Sequence, residues 1–323
     1  MRAAYYSEFG AAADVLRVGD IDRPEPGTGE VRVRISISAV NPTDWKARRG
    51  SRAMQFPYVV PHQDGAGVID AVGPGVSGER IGERVWVYFA AAGRPHGTAA
   101  EWSVVPARQA VALPDDVSFE LGACMGVPAL TAHRCLYWDG PIDGLDVLVA
   151  GGAGAVGHYA IQLAKAGGAR RVTATVSTPE KAEMARDAGA DHVVDYRAAD
   201  AADRIRMHHP DGVHRIAEVA LGTNIDLDIA VLGEHGSVVS YATTPTEPTL
   251  NVRDLMFGNQ TLRFMMLYDV GEAALAQGVA EVDRCLRSGA LTPLPLHRFG
   301  LDAVVAAHEA CENKAVGKVI IDL

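Results

Sequence analysis

LDVLVAGGAGAVGHYAIQLAKAG, residues 145–167, is the stretch that decides the fold. Leu145 to Gly151 is an apolar run with the length of a fully buried strand, and Val156 to Gly167 repeats apolar residues at helical spacing. Between them, Gly152-Ala153-Gly154-Ala155-Val156-Gly157 matches G-x-G-x-x-G. In a chain with 34 glycines such a match is weak by itself. Here it follows a strand and opens a helix, which is the context that gives it meaning. The first glycines permit a tight turn and let backbone N–H groups approach a pyrophosphate. The helix N-terminus adds orphan donors and the positive end of its dipole, and Gly157 lets helix and strand pack closely. Gly152, Ala153, Gly154, Ala155 and Val156 are therefore expected to cradle a dinucleotide.

The same alternation continues downstream. RRVTATVS (170–177), HVVDY (192–196), IAEVA (216–220) and GSVVSYA (236–242) read as further strands. Helices are expected over 178–189, near 199–208 and near 225–232, the pattern of a doubly wound parallel sheet. Upstream the texture differs. VRVRISISAV (31–40) alternates Val31, Val33, Ile35 and Ile37 with Arg32, Arg34, Ser36 and Ser38, as a half-buried strand does. Short strands with Gly and Pro punctuation up to about residue 115 predict a β-barrel. After residue 262 come a strand (LRFMML), amphipathic helices over 272–289 and 302–313, and a closing strand, KVIIDL (318–323). The expectation is an α/β protein: a Rossmann domain over 121–262 inserted into a barrel domain made of 1–120 and 263–323.

The chain has 323 residues, which at ~150 per domain agrees with two. Apolar residues are 48% and charged residues 22%, so a packed core is expected rather than disorder. The net charge of −10 argues against nucleic-acid binding. Cys124, Cys135, Cys285 and Cys311 are scattered with no CxxC pair, which excludes a disulfide framework or a four-cysteine zinc site. Without a signal-like or membrane-length apolar run, a cytoplasmic protein with no membrane association is expected.

The second strand ends Thr175-Val176-Ser177-Thr178, with no carboxylate to accept from a ribose 2′-OH. Ser177, Thr178 as a helix N-cap, Lys181 and the Tyr196 phenol would instead receive a 2′-phosphate, so NADPH is the expected cofactor. Glu180, at the second helical position, is expected to point to solvent. His208, His209 and His214 read as solvated surface.

NPTDW (41–45), PHQDGAGV (61–68), GTAAEW (97–102), ALTAHRCL (129–136) and GKVI (317–320) accompany the glycine loop. Together they resemble the medium-chain dehydrogenase/reductase superfamily, with a GroES-like barrel domain, and more narrowly its quinone oxidoreductase (ζ-crystallin-like) branch. Zinc-dependent members hold a catalytic metal on Cys, His and Cys. Against that pattern this chain has Asn41, Gln63 and the segment Met125 to Pro128, so no metal is expected. Without a Lewis acid, the implied chemistry is hydride transfer to an already electrophilic acceptor, a quinone or an enone. The resemblance puts Asn41 and Asp44 beside the nicotinamide ribose and Thr131 near the pyrophosphate. It lines the nicotinamide face with Ser240, Tyr241, Ala242, Phe264, Met265 and Met266, and closes the cleft with Gly317 and Lys318. Asp44, Asp64 and Tyr88 are the candidate proton donors. A homodimer or homotetramer is implied as well. The alternatives are a reductase of conjugated C=C bonds and, in another class, a non-catalytic NADPH-binding scaffold.

Overall fold

The computed structural model describes residues 1–244 and 246–323, and these fall into two compact units. Unit 1 comprises Met1–Val127 and Pro293–Leu323, and unit 2 comprises Pro128–Thr292. Both boundaries lie later in the chain than the 120/121 and 262/263 expected from sequence, for reasons of packing. The Phe119–Ala123 helix sits on the barrel sheet, where a Cβ on Gly122 would come 2.9 Å from Leu113 and 3.4 Å from Ala66. Residues 261–264 pair with the parallel sheet, and a Cβ on Gly278 of the Glu272–Arg287 helix would lie 3.1 Å from His133.

Unit 1 begins with β1 (Arg2–Tyr5), β2 (Arg17–Asp20) and β3 (Glu30–Ala39). It continues through β4 (Asp64–Val72), β5 (Arg84–Val87), β6 (Trp102–Pro106) and β7 (Ala110–Ala112). The ten-residue β3 is the hub. It pairs antiparallel with β4 along its length and, on its other side, with β6 through residues 30–34. Val31, Val33 and Ile35 enter the core with Ile69, Val85 and Val105. Arg32 and Ser38, expected on the solvent side, are buried instead. Arg32 pairs with Asp70 at 2.9 Å and Glu25 at 2.7 Å, and Ser38 joins a buried polar cluster. A register shift between Ile35 and Ile37 accompanies the change of facing.

Unit 2 holds β8 (Asp146–Ala150), β9 (Arg171–Val176), β10 (His192–Asp195), β11 (Val213–Glu218), β12 (Leu232–Ser240) and β13 (Thr261–Phe264). All are parallel, in the order β10-β9-β8-β11-β12-β13. The order reverses at β8, so its C-terminal end borders the crevice in which such sheets bind ligands. The chain then returns to unit 1 as β14 (Leu296–Gly300) and β15 (Lys318–Asp322), and β15 pairs antiparallel with β3.

His209 departs from its expected solvated position. It is fully buried, 2.7 Å from Thr173 and 3.1 Å from Asp146, while His208 and His214 are half-buried. Asp146 opens the buried strand β8 and needs partners there. Burial alone would raise its pKa, but hydrogen bonds from Arg170 and His209 outweigh it and hold the carboxyl at about 2.

Gly157 shows how tightly the first strand and helix of unit 2 meet: an added Cβ would lie 2.2 Å from the Gly151 carbonyl oxygen. Gly157→Ala should therefore push the helix off β8 and destabilise the protein by roughly 1–3 kcal/mol. Thermal denaturation beside the parent protein measures this, and an unchanged midpoint would refute the close-packing role.

Candidate functional site

In unit 2 the glycine turn leaves β8 with Gly151 at φ 70, a left-handed position that suits glycine. Gly154 then caps the Ala155–Ala166 helix in extended conformation and without a side chain. The Gly154 amide donates to Gly151 at 2.8 Å, and the helix ladder begins with His158 on Gly154. The amides of Ala155 and Val156 in the first turn therefore have no side-chain cap. A Cβ on Gly152 would sit 2.7 Å from that of Ala174, so backbone alone fits the turn. Uncapped amides, a dipole end and space kept clear of side chains suit the pyrophosphate of a nicotinamide dinucleotide.

Because the sheet is all parallel, the remaining cofactor candidates in unit 2 other than Thr131 gather at strand C-termini. Ser177 and Tyr196 follow β9 and β10, whose last residues Val176 and Asp195 are in register. Thr178 caps the next helix, accepting from the Lys181 amide at 3.3 Å, and the Lys181 ammonium reaches the Ser177 hydroxyl at 3.4 Å. Glu180 is exposed, as expected. Arg197, which sequence reasoning left without a role, also belongs to this edge. Its guanidinium donates to the Ser177 carbonyl and pairs with Asp195 at 2.9 Å. The basic residue directly after Tyr196 was the available signal.

Ser240, Tyr241 and Ala242 follow β12, with the Ser240 hydroxyl on the Ala242 carbonyl at 3.0 Å and the Tyr241 amide on Glu218 at 3.1 Å. Next to them Met265 is buried, its amide on Ser240 at 2.9 Å, whereas Phe264 and Met266 are 69% and 55% exposed. Thr131 is buried within the Leu130–Tyr137 helix. The buried carboxyl pair Glu218 and Asp228 was not anticipated. Burial raises both pKa values, and Glu218 also accepts from Asn224 at 3.0 Å.

Unit 1 supplies a buried polar network. Lys318, the first residue of β15, is 3% exposed. It points inward, donating to the Val40 carbonyl at 2.9 Å and the Asn41 side-chain oxygen at 2.5 Å. The Asn41 amide group donates in turn to Asp64 at 2.7 Å, and the Val127 amide donates to the same carboxylate oxygen at 2.8 Å. A Cβ on Gly126 would lie 2.0 Å from the other oxygen, which has no hydrogen-bond partner among the described residues. The Asn41 amide also donates to Asp44 at 2.7 Å, at the start of the Pro42–Arg48 helix.

Burial pushes Asp44 up to about 8, aided by the Asp64 charge and opposed by the Asn41 hydrogen bond and Lys318. Burial likewise raises Asp64 to about 6, against Lys318, Val127 and Asn41. Behind them His62, held at φ 78, bonds Ser38 at 2.8 Å and His308 at 3.0 Å. Burial keeps both imidazoles neutral, with neighbouring positive charge adding to the effect. Asp44, His62 and Gln63 line an open cavity of about 490 Å³, with Tyr6, Phe9 and Phe56 among the other walls. Tyr88 stands apart from the other two candidate acids. Its hydroxyl donates to the Arg108 carbonyl at 3.3 Å, and it is not part of the cavity lining.

The raised Asp64 pKa has a stability consequence of definite sign. A carboxyl whose folded pKa exceeds its unfolded value stabilises while protonated, and that contribution is lost as pH rises through about 6. Asp64→Asn keeps an acceptor for Asn41 and Val127 and removes the ionisation. The variant should gain stability relative to the parent between pH 5 and 8, by on the order of 2 kcal/mol. Paired melts at the two pH values measure the difference, and a constant offset would refute the assignment.

Comparison with known proteins agrees with this geometry. Residues 27–115 match the family model described as alcohol dehydrogenase GroES-like domain, and residues 155–283 match zinc-binding dehydrogenase. The quinone oxidoreductase of Lama guanicoe is 30% identical over 99% of this chain and 97% of its own. The mycobacterial protein Rv1454c, solved complexed with NADPH, is 31% identical with a TM-score of 0.86, and both chains are covered in full. A structure named NAD-dependent alcohol dehydrogenase is 27% identical with a TM-score of 0.88, again over both whole chains. A barrel sheet completed after an inserted dinucleotide sheet, a glycine cradle and full-length kinship all converge: the chain belongs to the medium-chain dehydrogenase/reductase superfamily, in its quinone oxidoreductase branch.

Proposed function

We propose that this oxidoreductase is NADPH-dependent and zinc-independent and reduces a quinone. The observation that carries the reading is the polar network of unit 1. Where zinc-dependent relatives place a thiolate, Asn41 stands with its oxygen held by the Lys318 ammonium. Its nitrogen is held by Asp64. An amide pinned beside a fixed positive charge is a poor ligand for a divalent cation. The first expected consequence is that purified protein carries no stoichiometric zinc.

A bound nicotinamide dinucleotide supplies the hydride when present; the chain's own groups handle position and proton. A quinone that takes one hydride, with its two electrons, needs one proton to become the hydroquinone. Asp44, on the cavity wall and pushed up to about 8, holds a proton at neutral pH and can give it up there. Tyr6, on the same wall, is pushed up to about 12 by burial and stays a neutral donor. That stored proton also favours the second reading, reduction of a conjugated C=C bond, where the proton must reach carbon. Cytoplasmic location and a homodimer or homotetramer belong to the same proposal. Among the described residues no helix is long and apolar enough to cross a membrane, and β13 is an edge strand free to pair with another subunit.

With NADPH and a panel of ortho-quinones, para-quinones and enones, loss of the reduced-nicotinamide absorbance should be fastest with a quinone. Faster turnover of enones would select the second reading. Binding of NADPH without turnover of any acceptor would leave a cofactor-binding scaffold. For the cofactor, Ser177, Thr178, Lys181 and Tyr196 carry the preference, with Arg197 beside them. Lys181→Ala should weaken NADPH by about tenfold, the worth of one charge-assisted contact, and NADH much less. Equal losses for the two cofactors would refute the 2′-phosphate assignment.

A further inference from the structure

Unit 1 buries a second set of polar side chains that the proton chemistry above leaves unused: Ser38, His62, Thr98 and His308, each 0% exposed. Their hydrogen bonds have one consistent direction. The Thr98 hydroxyl donates to the Asp64 backbone carbonyl at 2.6 Å and so spends its single proton. Across the 2.8 Å between Ser38 and Thr98, Ser38 is therefore the donor. With that proton spent, Ser38 accepts from His62 at 2.8 Å, so Nδ1 of His62 carries hydrogen. Burial keeps both imidazoles neutral, with the Lys318 charge adding to it at His62 and the Arg48 charge at His308. A neutral ring has one N–H, so Nε2 of His62 is bare and accepts from Nε2–H of His308 at 3.0 Å. Nδ1 of His308, which has no partner, is then only a lone pair. The reverse assignment would set two lone pairs against each other between Ser38 and Thr98 and strand an N–H in the core.

The chain ends where the candidate site begins. His62 stands at φ 78, a left-handed position that ordinarily suits glycine, and the Thr98 amide holds its carbonyl at 3.1 Å. The next residue, Gln63, turns its backbone amide to the Asp44 carboxyl. Asp64 follows, with the carbonyl on which the chain closes and the carboxylate that receives Asn41 and Val127. We propose that His62 is a positioning residue: fixed as the Nδ1–H tautomer by the one-way chain of His308, His62, Ser38 and Thr98, it holds the 62–64 turn so that the Gln63 amide meets Asp44. Both ring nitrogens are engaged inside unit 1, so the imidazole passes no proton to the cavity itself. The role rests on the reading of Asp44 as proton donor and adds a control on that donor's strength. The other titratable groups facing Asp44 are Asp64, Lys318, Tyr6 and Cys311, and none of their side chains belongs to the chain.

Long-range proton–nitrogen NMR of the intact protein at neutral pH checks the tautomer, with the His62 ring identified by the signals lost in His62→Asn. Nδ1 should be protonated and Nε2 bare; the opposite pattern, or a cationic ring, would overturn the proposal. Thr98→Val removes the hydroxyl at nearly constant shape and cuts the chain. The Asp44 titration, followed by carboxyl carbon NMR, should then move up from about 8 by about one pH unit as the Gln63 amide is released. Thr98→Ser keeps the hydroxyl and should retain the parent midpoint. An unmoved midpoint in Thr98→Val, or a Thr98→Ser midpoint displaced as far as that of Thr98→Val, would overturn the positioning role. Ser38→Ala cuts the same chain one link away and takes the place of Thr98→Val should that variant fail to fold. Neither readout uses turnover. The expected tautomer and shift in a protein that reduces no acceptor would uphold the positioning role while the reductase reading fell, and quinone reduction with an unmoved midpoint would do the reverse.

Discussion

The interaction on which unit 1 depends is the buried ammonium of Lys318 on the side-chain oxygen of Asn41, two residues 277 positions apart. An ammonium removed from water is tolerated only when its donors are satisfied and charge of the opposite sign is near. Here Val40 and Asn41 satisfy donors directly, and Asp64 lies one hydrogen bond further on. That chain orients the Asn41 amide group, which orients the Asp64 carboxylate, which receives the Val127 amide. The strand pairing of β15 with β3 places the lysine, and the lysine settles the polar side chains beside it. Asp44, tied to the same Asn41 by its backbone amide, is the member that also lines the cavity of unit 1.

Unit 2 solves its positioning problem differently. Six parallel strands bring every loop that follows a strand to one edge, so distant residues become neighbours without any special contact between them. At the first of these loops only backbone fits, since side chains would clash. Side chains act at the next two, where Ser177, Lys181 and Arg197 converge. The division is the one the proposed cofactor would ask for, amides toward a pyrophosphate and charge toward an outlying phosphate.

Much of this was legible in the chain before any coordinates. The apolar strand, glycine turn and helix of 145–167 announced unit 2, and the alternation gave five of its six strands; the sixth, over 261–264, read as lying past the domain's end, although it pairs with the parallel sheet. Ser177, Lys181 and Tyr196 could be placed together because parallel topology makes strand ends coincide. What escaped were partnerships between residues far apart in sequence. Arg32 and Ser38 read as solvent-facing because alternation cannot show that Asp70, Glu25 or His62 will meet them. His209 looked exposed in a polar segment because Asp146, its partner, is sixty-three residues earlier. Nothing local in KVIIDL reveals that the Lys318 ammonium meets Val40 and Asn41. The unit boundaries moved for the same reason, being decided by which sheet a helix packs on.

The discontinuity of unit 1 sets an order of assembly. Unit 2 is a single stretch, Pro128–Thr292, with its whole sheet encoded within it. Unit 1 has β3 near the start of the chain and the strand that completes it, β15, at residues 318–322. During synthesis, the N-terminal part of unit 1 emerges with residues 37–39 of β3 unpaired on the flank that β15 later takes, and with Asn41 and Asp64 lacking their cation. It must wait in that condition while 165 residues of unit 2 are made. Closure of this non-local pairing is a late and entropically slow event. The nascent chain thus carries an open β-edge beside a buried-to-be carboxylate, a state in which chaperone capture competes with aggregation until the last strand arrives.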